Sequence, residues 1–478
     1  MSAFIKLFET CTGKYLYDVG TNRILRVSDD EYKYLWFYKS LDNDTYRDKF
    51  KADPLAIEII NRYVGAGYLS NKHPKNIIHP YKCVVKDILS KKINIAIFQI
   101  TQMCNLRCSY CPYSGNGFLD RKHINKSMDY HIAKKSVDFI VNNGSFSEEF
   151  NIGFYGGEPL IKFDLIEKIV SYFKIKAGGK EVNYFITTNG TLMSKEILQF
   201  LNNNNFSVTI SLDGPEHIHD KNRRNAIDGK GSFRKIYSTL ETIILEYPSL
   251  ARRININAVW DMEESYDEIT TFFSEDIVMK NFEYSIVPVD NSIIDITFSM
   301  VNFNHHQSQL WETISIFESL GLDCKPSFKG NTSAMMFLRK IQEKLRPRAE
   351  IPDKCHYGGM CLPGFHRLFI DVDGFFLPCE KVSANSAVAK IGNVNSGFDY
   401  ENIKKIMNVG SLTEDECKNC WCGEFCTSCF KFVDDLNCMS REKKLNECKN
   451  IKRDTMKNMK EYVIYQETKR ILEESSNI

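Results

Sequence analysis

Charge of one sign is what this chain lacks most plainly. Its 62 basic residues stand against 61 acidic ones, a net charge of +1 at neutral pH over 478 residues. That balance offers neither the footprint of a nucleic-acid binder nor a basic stripe for an acidic membrane surface. Long hydrophobic runs are also missing. No apolar stretch reaches the about 18 residues that a membrane helix needs. No N-terminal segment joins a basic region to an apolar core and a cleavage site. A cytoplasmic protein is expected, with no nucleic acid and no membrane among its partners. The length suggests about three domains.

Cysteine, by contrast, is plentiful, with 16 residues. A secreted disulfide scaffold needs an oxidising compartment and is far shorter. The thiols also cluster. Three lie at Cys104, Cys108 and Cys111, and a second field holds Cys355, Cys361, Cys379, Cys417, Cys420, Cys422, Cys426, Cys429, Cys438 and Cys448. Cys11, Cys83 and Cys324 are solitary and read as packing residues. Clustered thiols in a reducing compartment point to metal.

The first group sits in Cys104-Asn105-Leu106-Arg107-Cys108-Ser109-Tyr110-Cys111, just after the apolar run Ile93–Ile100, which reads as a strand. A short loop after a strand lets three sulfurs converge. Three thiolates leave one position of a four-iron cluster open, as chemistry at a metal requires. A three-cysteine zinc site or unrelated buried thiols are the plainer alternatives. The C-x3-C-x-aromatic-C spacing resembles the cluster loop of the radical S-adenosylmethionine (SAM) superfamily. The resemblance implies a [4Fe-4S] cluster whose unique iron is chelated by the amino and carboxylate groups of SAM, with Tyr110 near the adenine.

From Ile93 onward, β and α patterns alternate. Strands are predicted at Ile93–Thr101, Phe150–Tyr155, Val182–Thr187, Ser207–Ser211, Ile254–Val259 and Phe282–Val287, with amphipathic helices near 130–142, 160–176, 194–203, 232–246 and 265–274. Such alternation implies a parallel sheet with its ligand site at the carboxyl ends of the strands. An α/β fold, a partial (β/α)6 TIM-like barrel, is the radical SAM arrangement. Short motifs follow the strands: Gly156-Gly157-Glu158-Pro159, Thr188-Asn189-Gly190, and Ser211-Leu212-Asp213-Gly214-Pro215 with Arg223 beyond. The family resemblance implies that Gly156, Gly157 and Glu158 bind the SAM amino group. It also implies that Asn189, Ser211, Asp213 and Arg223 serve the ribose hydroxyls and the SAM carboxylate. In that chemistry a reduced cluster passes one electron to SAM, and the resulting 5′-deoxyadenosyl radical abstracts an unactivated hydrogen. An electron donor of the flavodoxin or ferredoxin type is implied.

Ahead of the barrel, Phe4–Glu9, Lys14–Val19 and Arg23–Val27 alternate as short antiparallel strands do. Ser28-Asp29-Asp30-Glu31 is a capping box that opens a helix to about Tyr38. Asp44–Ala52 and Asp53–Gly65 read as two further helices, completing a small winged-helix pattern. The segment from Tyr15 to Ser28 resembles the recognition element of enzymes that modify ribosomally made peptides (RiPPs). The resemblance implies a strand edge that pairs with the leader of a precursor peptide. A plain winged helix that binds DNA or only packs is the alternative, and the neutral charge speaks against DNA.

Toward the C-terminus, Cys361, twelve residues, Gly374, four residues and Cys379 are followed by Cys417, Cys420, Cys426 and Cys429. This resembles the SPASM domain, an auxiliary-cluster extension of peptide-modifying radical SAM enzymes. The glycine allows a tight hairpin that brings the flanking cysteines together. The resemblance pairs Cys355, Cys361, Cys379 and Cys429 in one [4Fe-4S] cluster, and Cys417, Cys420, Cys426 and Cys448 in another. That makes three clusters in all. The spacing departs from the family at Cys429, Cys422 is an extra thiol, and Cys438 competes with Cys448. Two zinc sites remain the alternative. Glu380 follows Cys379, where sulfatase-maturing relatives place an acidic base; an ordinary salt-bridged glutamate is the other reading.

The expected organisation is a recognition element at 1–75, a linker at 76–92, the barrel at 93–325, the SPASM domain at 326–450 and a C-terminal helix at 451–478. The combination resembles a RiPP maturase paired with a Cys-rich precursor peptide and forming thioether links, as in sactipeptides and ranthipeptides. A carbon–carbon crosslinking or formylglycine-forming enzyme is the alternative. A non-enzymatic zinc protein that binds peptide or nucleic acid is a third reading.

Overall fold

The structure, a computed structural model, describes residues 3–40, 53–111, 123–261, 263–289, 341–359 and 361–476. The helix expected at 44–52, Cys324 and the barrel boundary at 325–326 lie outside the described residues. No helix among the described residues is long and apolar enough to cross a membrane.

Strands β1 (Ile5–Thr10), β2 (Gly13–Asp18) and β3 (Arg23–Val27) form an antiparallel sheet in that order. Alternation at period two gives it two apolar faces. Ile5, Leu16 and Val27 pack with Leu35 and Ile60 of the helices Asp29–Lys39 and Pro54–Gly65. Phe8, Tyr15 and Tyr17, on the other face, meet Phe425, Ile451, Met459 and Val463. The Ser28–Glu31 capping box forms as expected, and Asp53 caps the second helix, with Pro54 in its first turn.

The expected linker is stitched into the molecule, because β4 (Asn76–Ile77) pairs in parallel with β11 (Lys354–Cys355). The central sheet takes β5 (Ile95–Thr101), β6 (Glu149–Gly156), β7 (Glu181–Thr188), β8 (Ser207–Ser211), β9 (Ile254–Trp260) and β10 (Glu283–Pro288), each parallel to its neighbour. Helices at Tyr130–Asn143, Phe163–Lys176, Lys195–Asn203, Phe233–Glu246 and Tyr266–Glu275 connect them. The strands read as continuous β-branched and aromatic runs because helices bury their outer face. Phe98, Phe150 and Phe154 lie in this core.

The sheet does not stop at β5. Strand β12 (Leu368–Ile370) joins β5 in parallel, and β13 (Phe375–Leu377), β14 (Gly392–Asn393) and β15 (Gly397–Phe398) extend it to ten strands among the described residues. Otherwise β5 would be an exposed edge, which proteins cover. The cysteine-rich region thus grows from the barrel sheet itself. The C-terminal helix runs from Arg441 to Ser476, so it begins ahead of the expected 451 and contains Cys448.

Candidate active site and cysteine groups

Cys104 follows β5, and two glycines let another loop lie directly against its approach. A Cβ at Gly156 would sit 2.3 Å from the Thr101 carbonyl oxygen, and one at Gly157 would sit 2.1 Å from that of Met103. Only glycine permits such an approach. The Gly157 N–H donates to Thr101 O at 2.8 Å, and the Glu158 N–H donates to Met103 O at 2.8 Å.

Glu158 is fully buried. Its carboxylate accepts from Thr188 Oγ1 at 2.7 Å, Leu160 N at 3.1 Å and Asn189 N at 2.7 Å. It ties the turn after β6 to the turn after β7. Burial pushes its pKa up to about 7 against these three donors. Asn189 in turn donates to Asn105 Oδ1 at 2.9 Å and toward Cys104 Sγ at 3.8 Å. The Leu106 N–H also points at that sulfur, at 3.4 Å.

The segment after β8 pins the thiol loop from the opposite side. Arg107 N donates to Arg224 O at 2.8 Å, Ser109 N to Asn222 O at 3.2 Å, and Ala226 N to Asn105 O at 2.8 Å. Within it, Asp213 is buried and its carboxylate is fully engaged. Oδ1 accepts from Val259 N at 2.9 Å, while Oδ2 accepts from Arg223 Nε at 2.8 Å and from the Tyr110 hydroxyl. Arg223 lies over the Tyr110 ring, 5.4 Å from its centroid, and also bonds Cys108. One guanidinium therefore links the Asp213 carboxylate, an aromatic ring and a thiol. His219 braces the turn: Asp213 N donates to its Nδ1 at 3.2 Å, and its Nε2 meets Ser232 Oγ at 2.9 Å. Burial pulls the imidazole down to about 3, so it stays neutral. Ser211 ends β8, half-buried.

The sulfurs of Cys104, Cys108 and Cys111 interact electrostatically with one another, and burial pushes Cys104 up to about 12 and Cys108 up to about 11. Thiols this hard to ionise are inert unless a metal draws out the thiolate.

Two further groups form in the C-terminal region. Cys361, Cys379 and Cys429 interact together, the first two brought side by side by the β12–β13 hairpin, whose turn uses Gly374 at φ 83°. Cys417, Cys420, Cys426 and Cys448 interact electrostatically in the other, and Cys422 interacts with Cys420 and Cys426 as well. Cys355, with Cys426, packs against the cluster of Ile77, Tyr357 and Cys417. Cys422 is buried, its thiol 3.1 Å from Thr455 Oγ1. Cys438 is exposed. Glu380 accepts from Arg367 through Oε1, while its Oε2 is buried with no hydrogen-bond partner.

Among the described residues, no three His, Cys, Asp or Glu side chains are drawn together as around one metal ion. A single zinc would hold thiolates roughly 3.8 Å apart, from tetrahedral geometry and a Zn–S bond of about 2.3 Å. Groups made of thiols alone fit four-iron clusters, and a four-thiol group fits zinc as well. Sequence reading met Asn105, Thr188 and His219 only as members of their motifs and gave them no separate role. Asn105 lies in the thiol loop, Thr188 ends β7 and His219 sits on the short helix Glu216–Asn222.

Residues 98–249 match the Radical SAM superfamily. The chain is a radical SAM superfamily enzyme, homologous to anaerobic sulfatase-maturating enzymes. That membership implies a [4Fe-4S] cluster and bound SAM. The cysteine-type anaerobic sulfatase-maturating enzyme of Clostridium novyi is 27% identical over 345 residues, covering 69% of this chain and 85% of that protein. An uncharacterized protein of Methanocaldococcus jannaschii is 38% identical over 120 residues, 25% of this chain and 38% of that one. The chain thus spans well under two thirds of that relative. A solved structure of native anSMEcpe with bound AdoMet shares the fold, with a TM-score of 0.55 and 19% identity over 80% of this chain and 99% of that one.

Proposed function

We propose that this radical SAM enzyme is a peptide maturase. It joins a cysteine sulfur to a carbon of an acceptor residue in a ribosomally made, Cys-rich precursor held by its leader. In this reading Cys104, Cys108 and Cys111 hold the SAM-binding cluster, while Gly156, Gly157, Glu158, Asn189, Ser211, Asp213 and Arg223 shape the SAM pocket beside Tyr110. Cys361, Cys379 and Cys429, with Cys355, hold one auxiliary cluster; Cys417, Cys420, Cys426 and Cys448 hold the second. Residues 1–75 bind the leader, 76–92 link, 93–325 form the barrel, 326–450 the SPASM domain, and 451–478 the terminal helix.

The observation that carries the peptide reading is where the N-terminal sheet is docked. Tyr17 meets Phe425 edge-on at 5.7 Å, Asn22 Nδ2 donates to Lys344 O at 2.8 Å, and Arg348 bonds Val19 O, Gly20 O and the Glu424 carboxylate. A peptide gripped by this sheet is held next to the cysteine groups. Among the described residues β3 has β2 on one side only, and Leu55, Ile57 and Val64 of the helix Pro54–Gly65 are exposed. An added strand with apolar anchors suits both features.

When bound, SAM and its cluster would supply one-electron chemistry that removes a hydrogen from carbon, with electrons drawn from a flavodoxin- or ferredoxin-type donor and an auxiliary cluster able to take up the surplus electron. The chain orients and shields that chemistry. Asp213 and Arg223 hold Tyr110 and Cys108 in register, Glu158 locks two strand-end turns, and the buried Oε2 of Glu380 takes the proton of the substrate thiol. The expected location is the cytoplasm, where such thiols stay reduced.

The test is anaerobic: reconstituted enzyme, SAM, a reductant and a leader-bearing Cys-rich precursor, followed by mass spectrometry after full disulfide reduction. Loss of two hydrogens per link, with the thiols no longer alkylatable, supports the reading. SAM cleavage with every thiol intact rejects thioether formation. The relation to sulfatase-maturating enzymes favours one second reading, formylglycine formation, which the same spectra reveal as loss of the sulfur atom.

A further inference from the structure

The C-terminal helix carries Lys444, Cys448 and Lys452 at successive intervals of four, which places all three on one helical face. That face meets the four-cysteine group. Lys444 is 1% exposed, one of the largest fully buried side chains in the molecule. Its Nζ donates to Thr413 Oγ1 at 2.7 Å, to Gly410 O at 3.3 Å and to Cys417 Sγ at 3.5 Å. Thr413 Oγ1 itself lies 3.4 Å from the same sulfur. Three acceptors match the three N–H bonds of an ammonium. None is a carboxylate, and Cys417 Sγ is the acceptor among them that carries negative charge when it ligates a metal. Lys444 also acts electrostatically on Cys448, and Lys452 acts on Cys420, Cys422 and Cys448.

We infer that Lys444 is a positioning residue that raises the reduction potential of the cluster held by Cys417, Cys420, Cys426 and Cys448, with Lys452 as a weaker, exposed second charge. The inference rests on the cluster assignment proposed above. A four-iron core on four thiolates is already an anion, and gaining one electron adds a further negative charge. A fixed cation hydrogen-bonded to a ligand sulfur stabilises that reduced form. The remaining cysteine group has a different charge environment: Arg367 acts on Cys361 and Cys379 but also pairs with Glu380. The two auxiliary clusters are thereby set at different potentials.

The experiment is a potentiometric EPR titration of the full-length reconstituted enzyme, with iron and acid-labile sulfide counted in each sample. Lys444→Met is expected to keep its iron and to move one auxiliary midpoint negative by roughly tenfold in the reduction equilibrium, 59 mV for one electron. Lys452→Gln moves the same midpoint the same way by less. Full iron with unmoved midpoints in both variants overturns the inference. If Lys444→Met loses iron, Lys452→Gln decides: a negative shift supports the inference and an unmoved midpoint ends it. Zinc without sulfide in the wild-type group overturns the cluster assignment itself, a result that is distinct because it appears before any substitution.

Discussion

The barrel loop and the C-terminal field bring thiols together by different means. Cys104, Cys108 and Cys111 come from eight consecutive residues after one strand, held by backbone bonds from the turns after β6, β7 and β8. The other groups draw cysteines from residues 361 to 448, gathered by the hairpin β12–β13, by the segment from 417 to 429 and by the C-terminal helix. The first is local in sequence and supplies only three sulfurs. The proposed second auxiliary site is assembled by tertiary contacts and is closed by a fourth. An open position suits reaction with SAM, whereas a closed one suits electron transfer.

The sharpest break in this comparison is Cys104→Ala. It is expected to reduce SAM cleavage to background while the auxiliary iron remains, as measured by 5′-deoxyadenosine formation and iron content. Equal loss of all iron would show that the sites are not independent. Asp213→Ala comes next. It leaves Arg223 buried without its carboxylate, a change that costs about 3–5 kcal/mol. Denaturant unfolding of the variant should show that loss, and Arg223→Met with Asp213→Asn together should recover part of it.

Glu158 tests the same scaffold through pH. Its pKa is raised from 4.5 to about 7 by burial, so the native state holds a proton that the unfolded chain releases. Stability therefore falls as pH rises from 4.5 to about 7, by up to about 3 kcal/mol at ~1.4 kcal/mol per unit. Glu158→Gln should flatten that slope in unfolding curves measured across the interval. A slope unchanged by the substitution would assign the effect to other groups.

The smallest effects sharpen the boundary of the dispersed field. Cys448→Ala is expected to cost one cluster's worth of iron and its EPR signal. Cys422→Ala and Cys438→Ala should keep the full iron complement. The buried Cys422 thiol, pushed up to about 12 by burial, serves packing beside Thr455, and its loss costs about 1 kcal/mol in a melt. Iron loss in the Cys438 variant instead would reverse the assignment of the last ligand.

Much of this site was legible from residue order. The six barrel strands appear where alternating apolar runs place them, because a parallel strand buried on both faces must be apolar along its length. The Ser28 capping box and the Asp53 cap also form as their residue types dictate. Less legible was what the polar residues touch. Glu158 and Asp213 read as groups free for a cofactor, yet their carboxylates are taken up by Thr188, Leu160, Asn189, Val259, Arg223 and Tyr110. Spacing shows that a carboxylate ends a strand; only packing shows which donors meet it.

The amino-acid sequence alone determined the thiol loop, the alternating barrel and the chemistry class, since all three depend on neighbours a few residues apart. Tertiary structure decided the rest. It joined β12 to β5 and docked the N-terminal sheet on the cysteine-rich region. It also brought Cys448 into interaction with Cys417, left Cys438 exposed and buried Lys444 against Cys417. These contacts link segments far apart in the chain, and their partners are chosen by shape and burial, which no local spacing encodes.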